Sequence, residues 1–341
     1  PPVECVRLHD AESGLDGVIA IHSTALGPGA GGCRFWSYSG LDEALADAMR
    51  LAEGMSYKNA LAGLPFGGAK AVLRRPAGEF GRDALFRAFG RAVNELGGRY
   101  VTAEDAGTSV ADMEQVASAT RHVAGLPSPD NRAGGDPSPW TARGVFESMR
   151  AAAALVLDRD LAGLTVAVQG TGNVGANLCR RLADAGANLV IADPEPGRRD
   201  RLSHILDAKV VGAEEIAEVD ADIFAPCALG GALTRDVARK LKARLVCGAA
   251  NNQLACPEVA AMLMARGIAY APDYVVNAGG IISVSAEYLG EDRSDVEARV
   301  AEIAPRVAAL LERAARERRS PADVADDMAE QVIAGASRAA A

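Results

Sequence analysis

In Thr165-Val166-Ala167-Val168-Gln169-Gly170-Thr171-Gly172-Asn173-Val174-Gly175 an apolar run gives way to a glycine pattern within one residue. The five residues to Gln169 suit a buried strand, and Val174 to Ala185 has the apolar spacing of an amphipathic helix. GxGxxG between the two permits a tight turn, close backbone approach to a pyrophosphate and tight helix–strand packing. The helix N-terminus adds free N–H groups for the phosphate. The pattern by itself is weak, and Asp193 strengthens it. This residue ends the next apolar strand, Leu189 to Ala192, where a carboxylate accepts hydrogen bonds from ribose hydroxyls. Gly170, Thr171, Gly172, Asn173, Val174, Gly175 and Asp193 are thus candidates for holding a dinucleotide. The plainer reading is a glycine turn in an ordinary βα unit with a capping aspartate. Asp193 would repel a 2′-phosphate, which favours NAD over NADP. Arg198 and Arg199 stand nearby, and either accommodates that phosphate or forms a solvated helix face.

Helix Arg198 to Leu206 and strands Lys209 to Val211, Asp222 to Ala225 and Leu245 to Gly248 continue the alternation. This predicts a parallel, doubly wound sheet. Trp140 to Leu157 reads as a long Ala-rich helix. Pro127 to Pro139 holds four of the chain's 16 prolines and reads as a linker or loop. Before it, Val18 to His22, Cys33 to Trp36, Ala69 to Leu73 and Tyr100 to Ala103 read as strands, with helices over Leu41 to Met55 and Asp83 to Leu96. The tail from Ala298 is helical, with a break at Ser320-Pro321, where serine caps and proline takes the first helical position.

At 341 residues two domains are the expectation, and 49% hydrophobic with 24% charged residues argues for a folded chain rather than a disordered one. The net charge of −9 disfavours nucleic acid and anionic lipid as partners. Leu161 to Cys179 lacks charge but is broken by glycines, so no membrane span is expected. No secretory signal pattern is seen, and the expected location is cytoplasmic. Six scattered cysteines without CxxC spacing and four histidines without an HExxH pair predict reduced thiols and no metal.

The N-terminal half also carries glycine-rich settings around two lysines. Lys70 follows Gly67-Gly68-Ala69 and precedes Ala71-Val72-Leu73, which predicts a tight, partly desolvated setting. Burial lowers a lysine pKa and makes the amine a usable acid or base. Lys58, 12 residues earlier, offers a second cation, and Asp105 a carboxylate for proton transfer. Taken singly, each reads more plainly as a surface lysine or a capping aspartate.

Gly31-Gly32, MSYKNA at 55–60, LPFGGAK at 64–70, TAEDAG at 102–107, GDPSPWTARG at 135–144, GTGNVG at 170–175, CGAANNQL at 247–254 and VVNAGG at 275–280 together resemble the glutamate/leucine/phenylalanine/valine dehydrogenase family. The blocks occur in the family's order over nearly the whole chain. The resemblance implies an N-terminal α/β substrate and oligomerisation domain (1–135) and a doubly wound Rossmann NAD-binding domain (136–319). It also implies a cleft between the two, with helix 320–341 packing back on the first. It implies NAD-dependent oxidative deamination of an L-amino acid to a 2-oxo acid and ammonia, in a homo-oligomer. Lys58 would hold the substrate carboxylate with the backbone of Gly31 and Gly32, Lys70 would activate water, and Asp105 would shuttle protons. Thr141 and Asn252 would lie by the nicotinamide with Asn251 adjacent, and Asn277 on the floor of the cleft. Ala69 departs from the family's usual glycine.

The side-chain pocket expected from the resemblance is apolar, with Ala30, Ala103, Ile281 and Val284 as walls. Ala30 and Val284 stand where glutamate enzymes carry a lysine and a serine, so glutamate is excluded. Alanine at the first position and Pro65-Phe66 favour phenylalanine or another large apolar side chain, with leucine or valine as the runner-up. A non-catalytic NAD-binding regulator would have no use for Lys58, Lys70 and Asp105 together. An enzyme for a folate- or shikimate-like substrate fits TAEDAG and VVNAGG poorly, and Schiff-base chemistry at Lys70 leaves the glycine loop unexplained.

Overall fold

The structure is a computed structural model that describes residues 4–127, 133–228 and 230–340. It divides into two compact units, Pro1–Gly135 with Ile281–Val296 and Met328–Ala341, and Asp136–Gly280 with Glu297–Asp327.

The first unit contains strands β1 (Glu4–Asp10), β2 (Leu15–Ser23), β3 (Gly29–Ala30), β4 (Cys33–Trp36), β5 (Gly67–Arg74) and β6 (Tyr100–Val101). Helices α1 (Leu41–Leu61), α2 (Arg82–Glu95) and α3 (Val110–Ala117) accompany them. The sheet runs β1-β2-β5-β3-β6, and β4 also pairs with β5. β2 is antiparallel to both β1 and β5, whereas β3 and β4 lie parallel to β5. Strand alternation sends Val18, Ala20 and Val72 toward Ala44, Ala48 and Ala52 of α1. Ile19, Ile21, Ala69, Ala71 and Leu73 pack on the other face with Phe86, Phe89 and Met113. Both faces of β5 are therefore covered, and its residues from Gly67 to Leu73 are all buried, Lys70 among them. The methyl of Ala69 faces away from the side of the strand that carries Lys70.

The second unit begins with α4 (Ser138–Leu157), followed by β7 (Thr165–Gln169), α5 (Asn173–Asp184), β8 (Asn188–Ala192), α6 (Pro196–Leu206), β9 (Lys209–Val210) and β10 (Ile223–Pro226). Next come α7 (Arg235–Lys240), β11 (Leu245–Val246), α8 (Glu258–Ala265), β12 (Ala269–Tyr270) and α9 (Asp273–Val276). The all-parallel sheet has the order β12-β11-β10-β7-β8-β9. Read from the β9 edge this is the Rossmann order, and the order of the strands reverses between β7 and β10, beside the glycine loop. The chain ends with α10 (Gly279–Leu289), α11 (Arg293–Ala301), α12 (Ile303–Glu317) and α13 (Pro321–Ala340).

Several boundaries differ from the sequence expectation. α1 continues to Leu61, so Lys58 lies in its last turn, and β6 stops at Val101, with Thr102 making only a bridge to Val123. Part of the expected linker, residues 128–132, lies outside the described residues, while Pro139 belongs to the first turn of α4. The span 136–319 is not one unit. Ile281–Val296 groups with the first unit because Glu287 accepts from the Gly125 and Leu126 N–H groups and Tyr288 packs edge-on to Phe66. Residues 320–327 group with the second, where the Tyr274 hydroxyl donates to Asp326 at 2.7 Å.

Candidate active site

Lys70 is 5% exposed, and its Nζ lies 2.7 Å from Oδ2 of Asp105. The aspartate stands in a loop pinned to β4: Cys33 N–H donates to Ala103 O, Phe35 N–H to Ala106 O, and Asp105 N–H to Thr108 Oγ1 at 2.8 Å. Close approach is needed just before β4. A Cβ on Gly31 would lie 1.8 Å from the Ala69 carbonyl oxygen, so only glycine fits there. The Arg34 side chain, one strand residue further on, places Nε 3.4 Å from the same Asp105 oxygen and Nη1 2.9 Å from Asp47. Asp47 also accepts from the Tyr38 hydroxyl and from Arg50.

Burial on its own would push the Asp105 carboxyl upward. The Lys70 ammonium, with its hydrogen bond, and the Arg34 guanidinium outweigh that and hold it below the usual carboxylate range. Sequence reasoning missed Arg34, since an arginine at a strand start has no distinguishing signal. It also passed over Asn59, fully buried on α1, which donates to the Gly67 and Ala30 carbonyls and ties the helix to β3 and β5. Lys58, its neighbour, is half-buried.

Ala30, Ala103, Ile281 and Val284 line one small cavity of the first unit, of ≈ 10 Å³, and Gly31 borders it. Phe66 and Tyr288, packed edge-on at 5.9 Å, also line it, and Tyr288 OH is 3.0 Å from Nδ1 of His122. No lysine or arginine lines this cavity. Gly32 lies beside Asp105, for a Cβ on it would come 2.8 Å from that residue's Cβ. The first unit thus holds together Ala30, Gly31, Gly32, Lys58, Lys70, Ala103, Asp105, Ile281 and Val284.

The second unit holds the other candidates. Gly170 takes φ +99°, and a Cβ on Gly175 would meet the Gly170 carbonyl oxygen at 2.0 Å, so the loop is compact. Nothing lies within 4 Å of where a Gly172 Cβ would be, and no side chain caps the N-terminus of α5. The backbone N–H groups of Asn173 and Val174, in the first turn of α5, have no acceptor within the helix and suit an anion, which fits a dinucleotide phosphate. Asp193 differs from the expected open acceptor. Its Oδ2 accepts from Thr171 N–H at 2.6 Å and Thr171 Oγ1 at 3.0 Å, and its Oδ1 from Glu195 N–H at 2.9 Å and Arg198 Nε at 3.0 Å. Burial raises its pKa, but these donors prevail and keep it low.

Asn277 is buried and donates to Ala249 O at 3.1 Å and to Asn251 Oδ1 at 2.9 Å, and its own Oδ1 has no protein partner. Asn252 has φ +51°, and its carbonyl accepts from Gly231. Thr141 Oγ1 donates to Pro137 O, beside Gly280. Among the described residues no helix is long and apolar enough to cross a membrane, and no group of three or more His, Cys, Asp or Glu is placed to hold a metal ion.

These features define an amino-acid dehydrogenase architecture, and comparison with known proteins agrees. Residues 3–122 match the Glu/Leu/Phe/Val dehydrogenase dimerisation domain, and residues 136–197 and 198–340 match the Glutamate/Leucine/Phenylalanine/Valine dehydrogenase domain. The chain belongs to the glutamate/leucine/phenylalanine/valine dehydrogenase family. It is 45% identical to leucine dehydrogenase of Geobacillus stearothermophilus over 95% of this chain and 88% of that one. With valine dehydrogenase of Streptomyces virginiae it shares 48% identity over 98% of this chain and 94% of the relative. The solved L-tryptophan dehydrogenase of Nostoc punctiforme superposes with a TM-score of 0.87 at 37% identity, covering 99% and 97% of the two chains. Leucine and valine enzymes, rather than the phenylalanine enzymes favoured by the sequence reading, stand among these relatives.

Proposed function

We propose that the protein catalyses NAD-dependent oxidative deamination of a branched-chain L-amino acid, valine or leucine, to its 2-oxo acid and ammonia. The observation that carries the reading is the buried Lys70–Asp105 ion pair in the unit that also holds a small cavity without a lysine or arginine in its walls. Leucine and valine dehydrogenases at 45% and 48% identity support the substrate class. Phe66 and Tyr288 narrow the cavity to ≈ 10 Å³, so it has to open for any side chain and has to open least for a short branched one.

In this reading Lys58 and the backbone of Gly31 and Gly32 bind the substrate carboxylate. Asp105 takes a proton from the α-ammonium group, because the reaction at the α-carbon requires a neutral amine. Lys70 orients and activates the water that replaces nitrogen, and returns a proton to the departing ammonia. Bound at the 170–175 loop, NAD supplies the acceptor for the hydride of the α-carbon. Thr141, Asn251, Asn252 and Asn277 contribute the polar surroundings of the nicotinamide end, and the unpartnered Asn277 Oδ1 suits an amide donor. The match of residues 3–122 to a dimerisation domain supports a homo-oligomer, which light scattering tests.

The test is NADH formation with valine, leucine, isoleucine, phenylalanine and tryptophan in turn. The highest kcat/KM is expected for a branched-chain substrate; no reduction with any amino acid would refute the activity. An aromatic substrate ahead by more than tenfold would refute the specificity.

A further inference from the structure

We propose that Glu287 is a positioning residue for the substrate side chain: by holding α10 against the segment 122–126 it sets how far the cavity opens, and with that how large a side chain the enzyme accepts. The proposal deepens the reading of a branched-chain amino-acid dehydrogenase and rests on it. Ile281, Val284, Ser285 and Tyr288 follow one another at three- and four-residue spacing and turn one face of α10 to the cavity. Glu287 is not part of that lining. Its Oε1 accepts from Gly125 N–H at 3.0 Å and from Leu126 N–H at 2.9 Å, and its Oε2 from Gly125 N–H at 3.1 Å. One residue further on, the Tyr288 hydroxyl lies 3.0 Å from Nδ1 of the buried His122. Two consecutive side chains thus tie α10 to one short stretch of the first unit, and the same stretch contributes Ala124 to the cavity wall.

A cavity of ≈ 10 Å³ admits no amino-acid side chain as it stands, so one of its walls has to move. Two walls are fixed to the sheet. Phe66 adjoins β5, which is covered on both faces, and Ala124 is held at Thr102, whose N–H donates to the His122 carbonyl and whose carbonyl accepts from Ala124 N–H. The wall left to give is α10, and its contacts through Glu287 and Tyr288 oppose that movement. Hydrogen bonds from backbone N–H groups to a carboxylate are stronger than neutral ones. Glu287, Gly125 and Leu126 are half-buried, so water replaces these bonds only in part. The displacement required grows with the side chain, and the cost of stretching the contacts therefore falls most heavily on the largest substrates. The size limit is set from outside the cavity, by a carboxylate that the substrate does not touch.

Steady-state NADH formation with valine and with phenylalanine, by the full chain and by Glu287→Ala and Glu287→Gln, tests this. In Glu287→Ala the kcat/KM ratio of phenylalanine to valine is expected to rise at least about fivefold, through KM rather than kcat, because Lys70 and Asp105 are untouched. Glu287→Gln keeps an oxygen that accepts from the same N–H groups without the charge, and its ratio should fall between those of the parent and the alanine variant. Tyr288→Phe removes only the hydroxyl facing His122 and should move the ratio in the same direction; it answers the question should Glu287→Ala fail to fold. A glutamate with a merely structural role would lower kcat/KM for both substrates by one common factor, and a ratio unchanged in all three variants would overturn the proposal. A change confined to kcat would overturn it as well, since it would connect Glu287 to the chemical step and not to the cavity. If the parent enzyme forms no NADH with any amino acid, the activity on which the proposal rests is lost instead.

Discussion

Asp105 receives two cations on one carboxylate oxygen, Lys70 Nζ at 2.7 Å and Arg34 Nε at 3.4 Å. Both favour the charged form, so the aspartate remains ionised well into acid. Replacing Arg34 with glutamine removes one cation and shifts Asp105 upward, and the acidic limb of kcat/KM should move to higher pH with it. Arg34→Lys should restore part of the shift; a limb that does not move in Arg34→Gln would exclude this coupling. The same pairing affects stability. A carboxylate depressed in the folded state stabilises it above the ordinary carboxylate range, and that contribution is lost as pH falls through the lowered range. The melting temperature of Asp105→Asn should therefore depend less on pH in acid than that of the parent. Lys70 and Asp105 were legible because glycine-rich motifs single them out. Arg34 was not, because its significance comes from a contact 71 residues away in the chain.

At the scale of elements, α3 shows how local chemistry fixes a helix that flanks the sheet core. Ser109 and Asp112 form a reciprocal capping box, and Arg82 of α2 grips both Asp112 oxygens at 2.7 Å. Asp112→Ala removes half of the capping box and both carboxylate contacts of Arg82, which keeps only the Gly107 carbonyl, and should cost about 2 kcal/mol of unfolding free energy in urea titration. A loss below a few tenths would show the clamp to be idle. α10 matters differently, for it delivers Ile281, Val284 and Tyr288 to the cavity proposed for the substrate side chain. Phe66→Ala enlarges that cavity and should raise the kcat/KM ratio of phenylalanine to valine, by about 10- to 200-fold. An unchanged ratio would mean that Phe66 does not set the pocket's length. The strands and helices of 165–206 could be read from periodicity, since buried parallel strands are uniformly apolar. β1 was hidden, for Glu4–Asp10 is mostly polar on an edge.

For the molecule as a whole, the division between units passes through α10, α11 and α13, a continuity across unit boundaries that linear reading of composition had no means to reveal. What the sequence did convey was the class of fold, through one strand–glycine–helix step and the acid that follows it. Dinucleotide binding to the second unit should raise apparent stability by about 2.7 kcal/mol at a hundredfold excess over Kd. Replacing Gly175 with valine, whose Cβ would meet the Gly170 carbonyl, should abolish that gain. The proposed chemistry itself depends on the amine of Lys70. Steady-state NADH formation from valine by Lys70→Ala, with NAD affinity measured on the same preparation, should show turnover reduced by at least about 10³-fold and NAD binding unchanged. Turnover close to that of the parent enzyme would contradict the assignment of Lys70 to the reaction.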